Sequence, residues 1–370
     1  MKLLERLKTK GAKRILALDG GGIRGALTLG YLEKIEQILR DKHDNQNLKL
    51  CEYFDLIGGT STGSIIAAAL SVGMTVAEVK KMYLDLGETV FTRNRLWKWL
   101  KASFSADNLR IELQKAFGDI TLGSSEIKTG LCIFAKRADT GSTWVFINHP
   151  EGKYYPDNKD ILLRRAVRAS TAAPTYFEPE TIDVGRGQNG AFIDGGVSMV
   201  NNPALMLFLM TSLKGFPFHW ETGEDKILLV SIGTGTWKLR SDVDSVSGAW
   251  LATWASRVPS ILMYDASQQN QLLLQFLSNT KTRCEIDSEI GDLSSDLLTE
   301  KPLLTYLRYN AFLDENGMNE LGLVEMIPKL DSLRDMSAGK NRFDLANIGG
   351  KSAERQVLDD HFPNEFNIDK

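Results

Sequence analysis

The chain has 370 residues, of which 43% are hydrophobic and 25% charged, and a formal net charge of −3. That is the make-up of an ordinary globular protein, long enough for one large or two smaller domains around a sizeable core. It excludes a nucleic-acid polymer as partner, since no basic field or tract is there to hold one, and no uninterrupted apolar stretch reaches membrane-spanning length. Cys51, Cys132 and Cys284 are few, odd in number and widely spaced, so neither a disulfide framework nor a zinc site is expected. Reduced thiols suit a cytoplasmic setting. Residues 1–13 are basic but are not followed by an apolar segment long enough for a signal peptide.

In chain order, residues 14–18 read as a compact buried strand broken by Asp19-Gly20-Gly21-Gly22. From residue 25 to about 40, Leu29, Leu32, Ile35 and Leu39 recur at helical spacing. Tyr53-Phe54-Asp55-Leu56-Ile57 reads as a second buried strand and residues 64–70 as the helix after it. Two strand–helix units in succession predict a parallel α/β sheet. Residues 75–120 read as mostly helical, and 130–137 with 143–148 as a hairpin around Ala138-Asp139-Thr140-Gly141-Ser142. A basic helix at 162–169 runs into a segment that Pro174 stops. Residues 191–193 form a short strand ending at Asp194-Gly195-Gly196, residues 204–213 an apolar helix, and residues 227–232 a buried strand closing on Gly233-Thr234-Gly235. Beyond about residue 237 the pattern weakens, so residues 238–370 are expected to be a C-terminal helical flank of the same domain.

Gly59-Thr60-Ser61-Thr62-Gly63, set between a strand and a helix, is a G-x-S-x-G nucleophile elbow. The spacing alone is weak, and a small-residue turn at a tight strand–helix junction is the plain alternative. The context is what the motif requires: glycines allow the strained turn, and the helix aims its free N–H groups at the serine. A phosphate-cradling loop is disfavoured, because Ser64 stands where its lysine would be. Gly20, Gly22 and Gly25 also fit a dinucleotide-binding fingerprint, but the second strand closes on the serine elbow rather than on a ribose-binding acid. An oxyanion hole built from the N–H groups of Gly20, Gly21 and Gly22 is the better account. Arg24 either reinforces that charge, meets a lipid phosphate, or is simply a solvated arginine on a first helical turn.

A serine hydroxyl needs a base. None of His43, His149, His219 and His361 sits at a strand end before a glycine-rich turn, whereas Asp194 does. The stretch 91–104 interleaves Phe91, Trp97, Trp99, Leu100 and Phe104 with Arg93, Arg95, Lys98 and Lys101. It suits an anionic membrane surface or, equally, a helix that buries its tryptophans and solvates its basic face.

Together, Asp19-Gly20-Gly21-Gly22-Ile23-Arg24-Gly25, Gly59-Thr60-Ser61-Thr62-Gly63 and Asp194-Gly195-Gly196 resemble the patatin-like phospholipase family, and residues 169–177 and Asn201-Asn202-Pro203 are similar to it as well. The resemblance covers about residues 14–205, in the family's order, with the core continuing to about 237. It implies an α/β, three-layer fold with a mostly parallel central sheet flanked by helices. It further implies a catalytic dyad of Ser61 as nucleophile and Asp194 as base, with Gly25, Gly59, Gly63, Gly195 and Gly196 as motif glycines. The implied reaction is phospholipase A or lysophospholipase chemistry on phospholipid or another acyl-ester lipid, through an acyl-enzyme and with no metal or cofactor. Peripheral contact with the inner membrane face would accompany it. For the dyad to work the carboxylate needs partial desolvation, so Asp194 is expected to face Ser61 in a mostly apolar cleft. A Ser–Asp–His triad using His219 or His361, and a noncatalytic lipid-binding module, remain as alternatives.

Overall fold

The computed structural model describes residues 3–90, 106–174, 176–238, 247, 251–285 and 291–368. Nine strands are found there: β1 Lys13–Leu18, β2 Leu56–Thr60, β3 Gly130–Arg137, β4 Ser142–Ile147, β5 Glu180–Asp183, β6 Asn189–Asp194, β7 Ile227–Ile232, β8 Ser278–Asn279 and β9 Leu304–Tyr309. They form one sheet in the order β5-β6-β3-β2-β1-β7-β9-β8, with β4 on the other edge of β3. The run from β3 through β2, β1, β7 and β9 to β8 is parallel, whereas β4, β5 and β6 pair antiparallel. The fold is thus α/β with a mostly parallel central sheet.

The flanking helices are α1 Leu3–Lys8, α2 Gly25–Lys42, α3 Thr62–Ser71, α4 Val76–Val90, α5 Ala106–Phe117, α6 Leu163–Ser170, α7 Ala204–Ser212, α8 Leu251–Leu277 and α9 Arg342–Gln356. Alternation along the strands explains the layers. Leu16 and Leu18 of β1 and Leu228, Val230 and Ile232 of β7 join a core shared with α2, α3, α4, α5, α6 and α9. Ile15 and Ala17, with Ile227 and Leu229, point the other way into a core shared with α1, α7 and the C-terminal end of α8. Strands covered on both faces read as continuous apolar runs, which is why KRILAL and ILLVSI are recognisable.

Two elements depart from the reading of the sequence. Tyr53 belongs to a helical turn, Leu50–Tyr53, and the strand begins only at Leu56. Glu52 folds back to accept the Lys49 N–H at 2.8 Å, which closes that turn. Asp55 is then buried in an ion pair with Arg14 at 2.9 Å, so the apolar pattern here belongs to the core without being strand. The C-terminal region is not only a helical flank. It inserts β9 beside β7 and carries β8 outside it. Its sequence, LTYLRY, holds a threonine, two tyrosines and an arginine, a polar content that hid a strand whose residues are nearly all buried.

One feature of the sheet positions the site. β4 pairs with Cys132 through Arg137 of β3, so β2 and β6 must share the opposite edge. β2 takes that edge as far as Thr60 opposite Phe134, and β6 takes it from Asp194 opposite Ala135. β2 runs parallel to β3 and β6 antiparallel, so their C-terminal ends meet head-on at consecutive rungs. Residues 133 apart in the chain are brought together by strand order alone.

Candidate active site

The elbow is built by close backbone contact. Ser61 follows the last residue of β2 and precedes α3, with φ 52° and ψ −125°. A non-glycine residue there carries strain of about 1–3 kcal/mol. α3 crosses so tightly that a Cβ on Gly59 would lie 2.2 Å from the Gly63 carbonyl oxygen, and one on Gly63 would lie 2.3 Å from that of Leu18. Only glycine fits both positions. The Ser64 hydroxyl and amide both return to the Ser61 carbonyl, at 2.6 and 2.9 Å. The Ser61 N–H donates to Ser170 Oγ at 2.9 Å, and Ser170 Oγ donates in turn to the Phe134 carbonyl.

Asp194 closes β6. Its Oδ2 accepts from Ser61 Oγ at 2.6 Å, its Oδ1 accepts from the Gly196 N–H at 2.6 Å, and its own N–H donates to the Ala172 carbonyl at 2.9 Å. Gly195 packs so closely that a Cβ would fall 2.5 Å from the Phe134 oxygen. Asp194 is 4% exposed and Ser61 8%. Burial pushes the Asp194 carboxyl up to about 6, against the opposing pull of the Ser61 hydroxyl, the Gly196 N–H and the charge of Arg168. Arg168 is itself buried, donating to the Glu178 carbonyl at 2.9 Å and lying over the ring of Phe177. A carboxylate so placed is a better base than one in water, yet remains mostly ionised at neutral pH.

The glycine turn stands beside Ser61: a Cβ on Gly20 would meet Ser61 Cβ at 3.2 Å and Asn201 Oδ1 at 2.6 Å. The Gly20 N–H already donates to the Asn201 carbonyl at 3.0 Å, which takes it out of the expected oxyanion set. No acceptor among the described residues takes the N–H groups of Gly21 and Gly22. Gly22 is at φ 59°, and its carbonyl accepts from Tyr83 Oη at 2.6 Å. Gly25 abuts the same tyrosine hydroxyl. Arg24 is buried; its guanidinium lies over Trp237, 5.2 Å from the ring centre, and burial lowers it to about 10 against the pull of Asp19 and Asp335. It belongs to the packing of the turn and is not a solvated side chain.

Asp19 is held by a residue that motif reading missed. Arg308 of β9 grips both carboxylate oxygens, at 3.0 and 2.6 Å, and adds a bond to Ser231 Oγ at 2.7 Å. Thr234 Oγ1 donates to the Gly20 carbonyl at 2.9 Å. Ser170 and Asn201 lay within segments already noted for their likeness, but nothing in the sequence links Arg308 to a residue 289 positions away.

No histidine bonds to Ser61 or Asp194 among the described residues. His361 Nδ1 shares a hydrogen bond with Tyr309 Oη at 2.8 Å, and the buried His149, lowered by burial to about 4, receives the Glu151 N–H. His219 stands at φ 51° before Trp220. The stretch 91–104 lies outside the described residues.

Comparison with known proteins bears on this arrangement. A family model described as "Patatin-like phospholipase" matches residues 16–208, just over half the chain. The chain is 31% identical over 226 residues to a protein of Escherichia coli strain TW11681 named "cGAMP-activated phospholipase", covering 60% of this chain and 62% of that one. It is 29% identical over 268 residues to Patatin-17 of Solanum cardiophyllum, covering 65% of each. The matched stretch therefore spans under two thirds of either relative's length. A solved structure of VipD from Legionella pneumophila aligns over 92% of this chain and 67% of its own at 15% identity, with a TM-score of 0.36, too slight a likeness to argue from.

Proposed function

Since this chain belongs to the patatin-like phospholipase family, we propose that it is a lipid acyl hydrolase of phospholipase A or lysophospholipase type, serving lipid breakdown through a Ser61–Asp194 dyad. The observation that carries the reading is the 2.6 Å hydrogen bond from Ser61 Oγ to the carboxylate of a residue only 4% exposed. Ser61 Oγ attacks the acyl carbonyl while its proton passes to Asp194 Oδ2. The charge formed on the carbonyl oxygen meets the free amides of Gly21 and Gly22, which are fixed before the reaction and cost no reorganisation. Asp194 then returns the proton to the departing alcohol, leaving an acyl-enzyme. In the second half Asp194 takes a proton from water, the hydroxide attacks the acyl carbonyl, and Ser61 leaves as its alcohol with the proton handed back.

Both oxygens of Asp194 are engaged, one by Ser61 and the other by Gly196, so the carboxylate cannot swing away. A lipid substrate is favoured by exposed apolar side chains in the segment after the base: Val197 and Met199, 43% and 60% exposed, lie one and three residues beyond Gly196. We place the work at a bilayer surface, on the cytoplasmic face. Among the described residues no helix is long and apolar enough to cross a membrane. The C-terminal part belongs to the same catalytic unit in this reading, because β9 is hydrogen-bonded into the sheet and Arg308 anchors the glycine turn.

The test is acyl release from phospholipid and lysophospholipid vesicles by the purified chain and by Ser61→Ala and Asp194→Ala. Each variant should lose turnover by about 10³-fold or more while keeping its fold. Undiminished release by either folded variant defeats the dyad. Vesicle binding without any acyl release by the wild type would favour the noncatalytic module.

A further inference from the structure

We infer that Ser170 is a positioning residue for this reaction: its hydroxyl replaces the missing rung of the β2–β3 ladder and thereby holds the nucleophile's backbone in its strained turn. The inference rests on the assignment of Ser61 as nucleophile.

β2 pairs with β3 up to Thr60 opposite Phe134. In a continuing parallel strand the next bond would run from the Ser61 N–H to the Phe134 carbonyl. Ser61 instead turns to φ 52°, carrying its amide off the strand and leaving a gap between that donor and that acceptor. Ser170, the last residue of α6 and wholly buried, fills the gap with one hydroxyl. Its oxygen accepts from Ser61 N at 2.9 Å while its hydrogen goes to Phe134 O. A hydroxyl is suited to this because it is donor and acceptor at once, whereas a backbone carbonyl or a methyl group is not.

Two consequences follow for the chemistry. The bridge is made to Phe134, the rung next to Ala135, against which Asp194 pairs, so one hydroxyl fixes the backbone of Ser61 to the same strand that positions Asp194. It also commits the Ser61 N–H, so that amide faces α6 and is withheld from the developing oxyanion, which leaves that task to the glycine turn. Without the hydroxyl, two buried backbone groups lose their partner and the strained turn loses its restraint. The expected response is relaxation of the elbow toward ordinary strand geometry, which moves Ser61 Oγ relative to Asp194 Oδ2. The neighbouring hydroxyl of Thr171 offers no substitute, since it is turned to the Val167 and Arg168 carbonyls.

The experiment compares the full-length wild type with Ser170→Ala, Ser170→Cys and Ser61→Ala, using a p-nitrophenyl acyl ester as substrate, a fluorophosphonate probe for Ser61 and thermal melting for the fold. Ser170→Ala should lower kcat and the labelling rate together by about 10²-fold, with KM changed less than about threefold, as expected of misplacement by a fraction of an ångström. Ser170→Cys, whose thiol donates and accepts weakly, should fall between alanine and wild type. Folded Ser170→Ala with kcat within about threefold of wild type overturns the inference, as does a loss that appears in KM alone. If the alanine variant does not fold, wild-type kcat and labelling in folded Ser170→Cys overturn it equally. Turnover that survives in Ser61→Ala would instead overturn the proposed function itself, so the two failures are told apart.

Discussion

Replacing Asp194 by asparagine should make the protein more stable while removing its activity. The carboxyl's value in the fold, about 6, lies above its ordinary 3.8, because burial penalises the ion. Below pH 4 the group is protonated whether the chain is folded or not, and ionisation costs the fold nothing. As pH rises from 4 through 6 the unfolded chain releases its proton freely while the folded one must form a buried anion, so native stability is lost over that window and stays lost above it. A shift of about 2 units at about 1.4 kcal/mol each amounts to about 3 kcal/mol at pH 8. Asparagine is never charged, and its amide can still satisfy the Gly196 N–H and the Ser61 hydroxyl. With an unfolding entropy of about 2.1 cal/mol/K per residue, 3 kcal/mol over a chain of this size corresponds to a rise in Tm of about 4 °C. Scanning calorimetry of wild type and Asp194→Asn between pH 4 and 8 tests this. The variant should melt higher above pH 6, with the gap closing toward pH 4. A variant that melts at or below the wild type throughout, with no pH-dependent gap, would show that the buried carboxylate costs the fold nothing.

Arg308→Met strips the buried Asp19 carboxyl, which burial already pushes above its ordinary value, of the cation that opposes that push, and should cost about 3–5 kcal/mol in denaturant unfolding. Adding Asp19→Asn should recover at least half of that loss, and a double-mutant cycle showing independent effects would contradict the pairing. His361→Ala should destabilise by about 1–2 kcal/mol, since Tyr309 loses its buried partner. It should leave kcat within about threefold of wild type, as should His219→Ala; a large fall in kcat for either folded variant would restore the histidine triad.

How legible this structure was depended on the physical signal each part leaves. β1 and β7 are short, apolar and flanked by glycine, and they could be read nearly to the residue, as could the β3–β4 hairpin. The three glycine-containing turns marked where the chain leaves the sheet, because backbone or side chains approach so closely there that a Cβ does not fit. β9 escaped notice because its polar residues are buried by partners far away in sequence; Arg308 is buried, but only the fold reveals what neutralises it. Tyr53 and Phe54 misled in the opposite direction, since burial in a helical turn gives the same apolar run as burial in a strand. The Ser170 bridge has no pattern of its own, being a single hydroxyl whose meaning depends on where two strands end.

In the proposed mechanism the hydroxyl of Ser61 is activated by the carboxylate of Asp194 and by no other base. Its most direct test is the rate at which a fluorophosphonate tags the protein as a function of pH, with the tagged peptide identified by mass spectrometry. A Ser61–Asp194 dyad predicts a single label on Ser61, a rate that rises with pH to a plateau with its midpoint near 6, and a fall of about 10³-fold at every pH in Asp194→Asn. Labelling elsewhere, or a pH profile on Ser61 that survives Asp194→Asn unchanged, would contradict it.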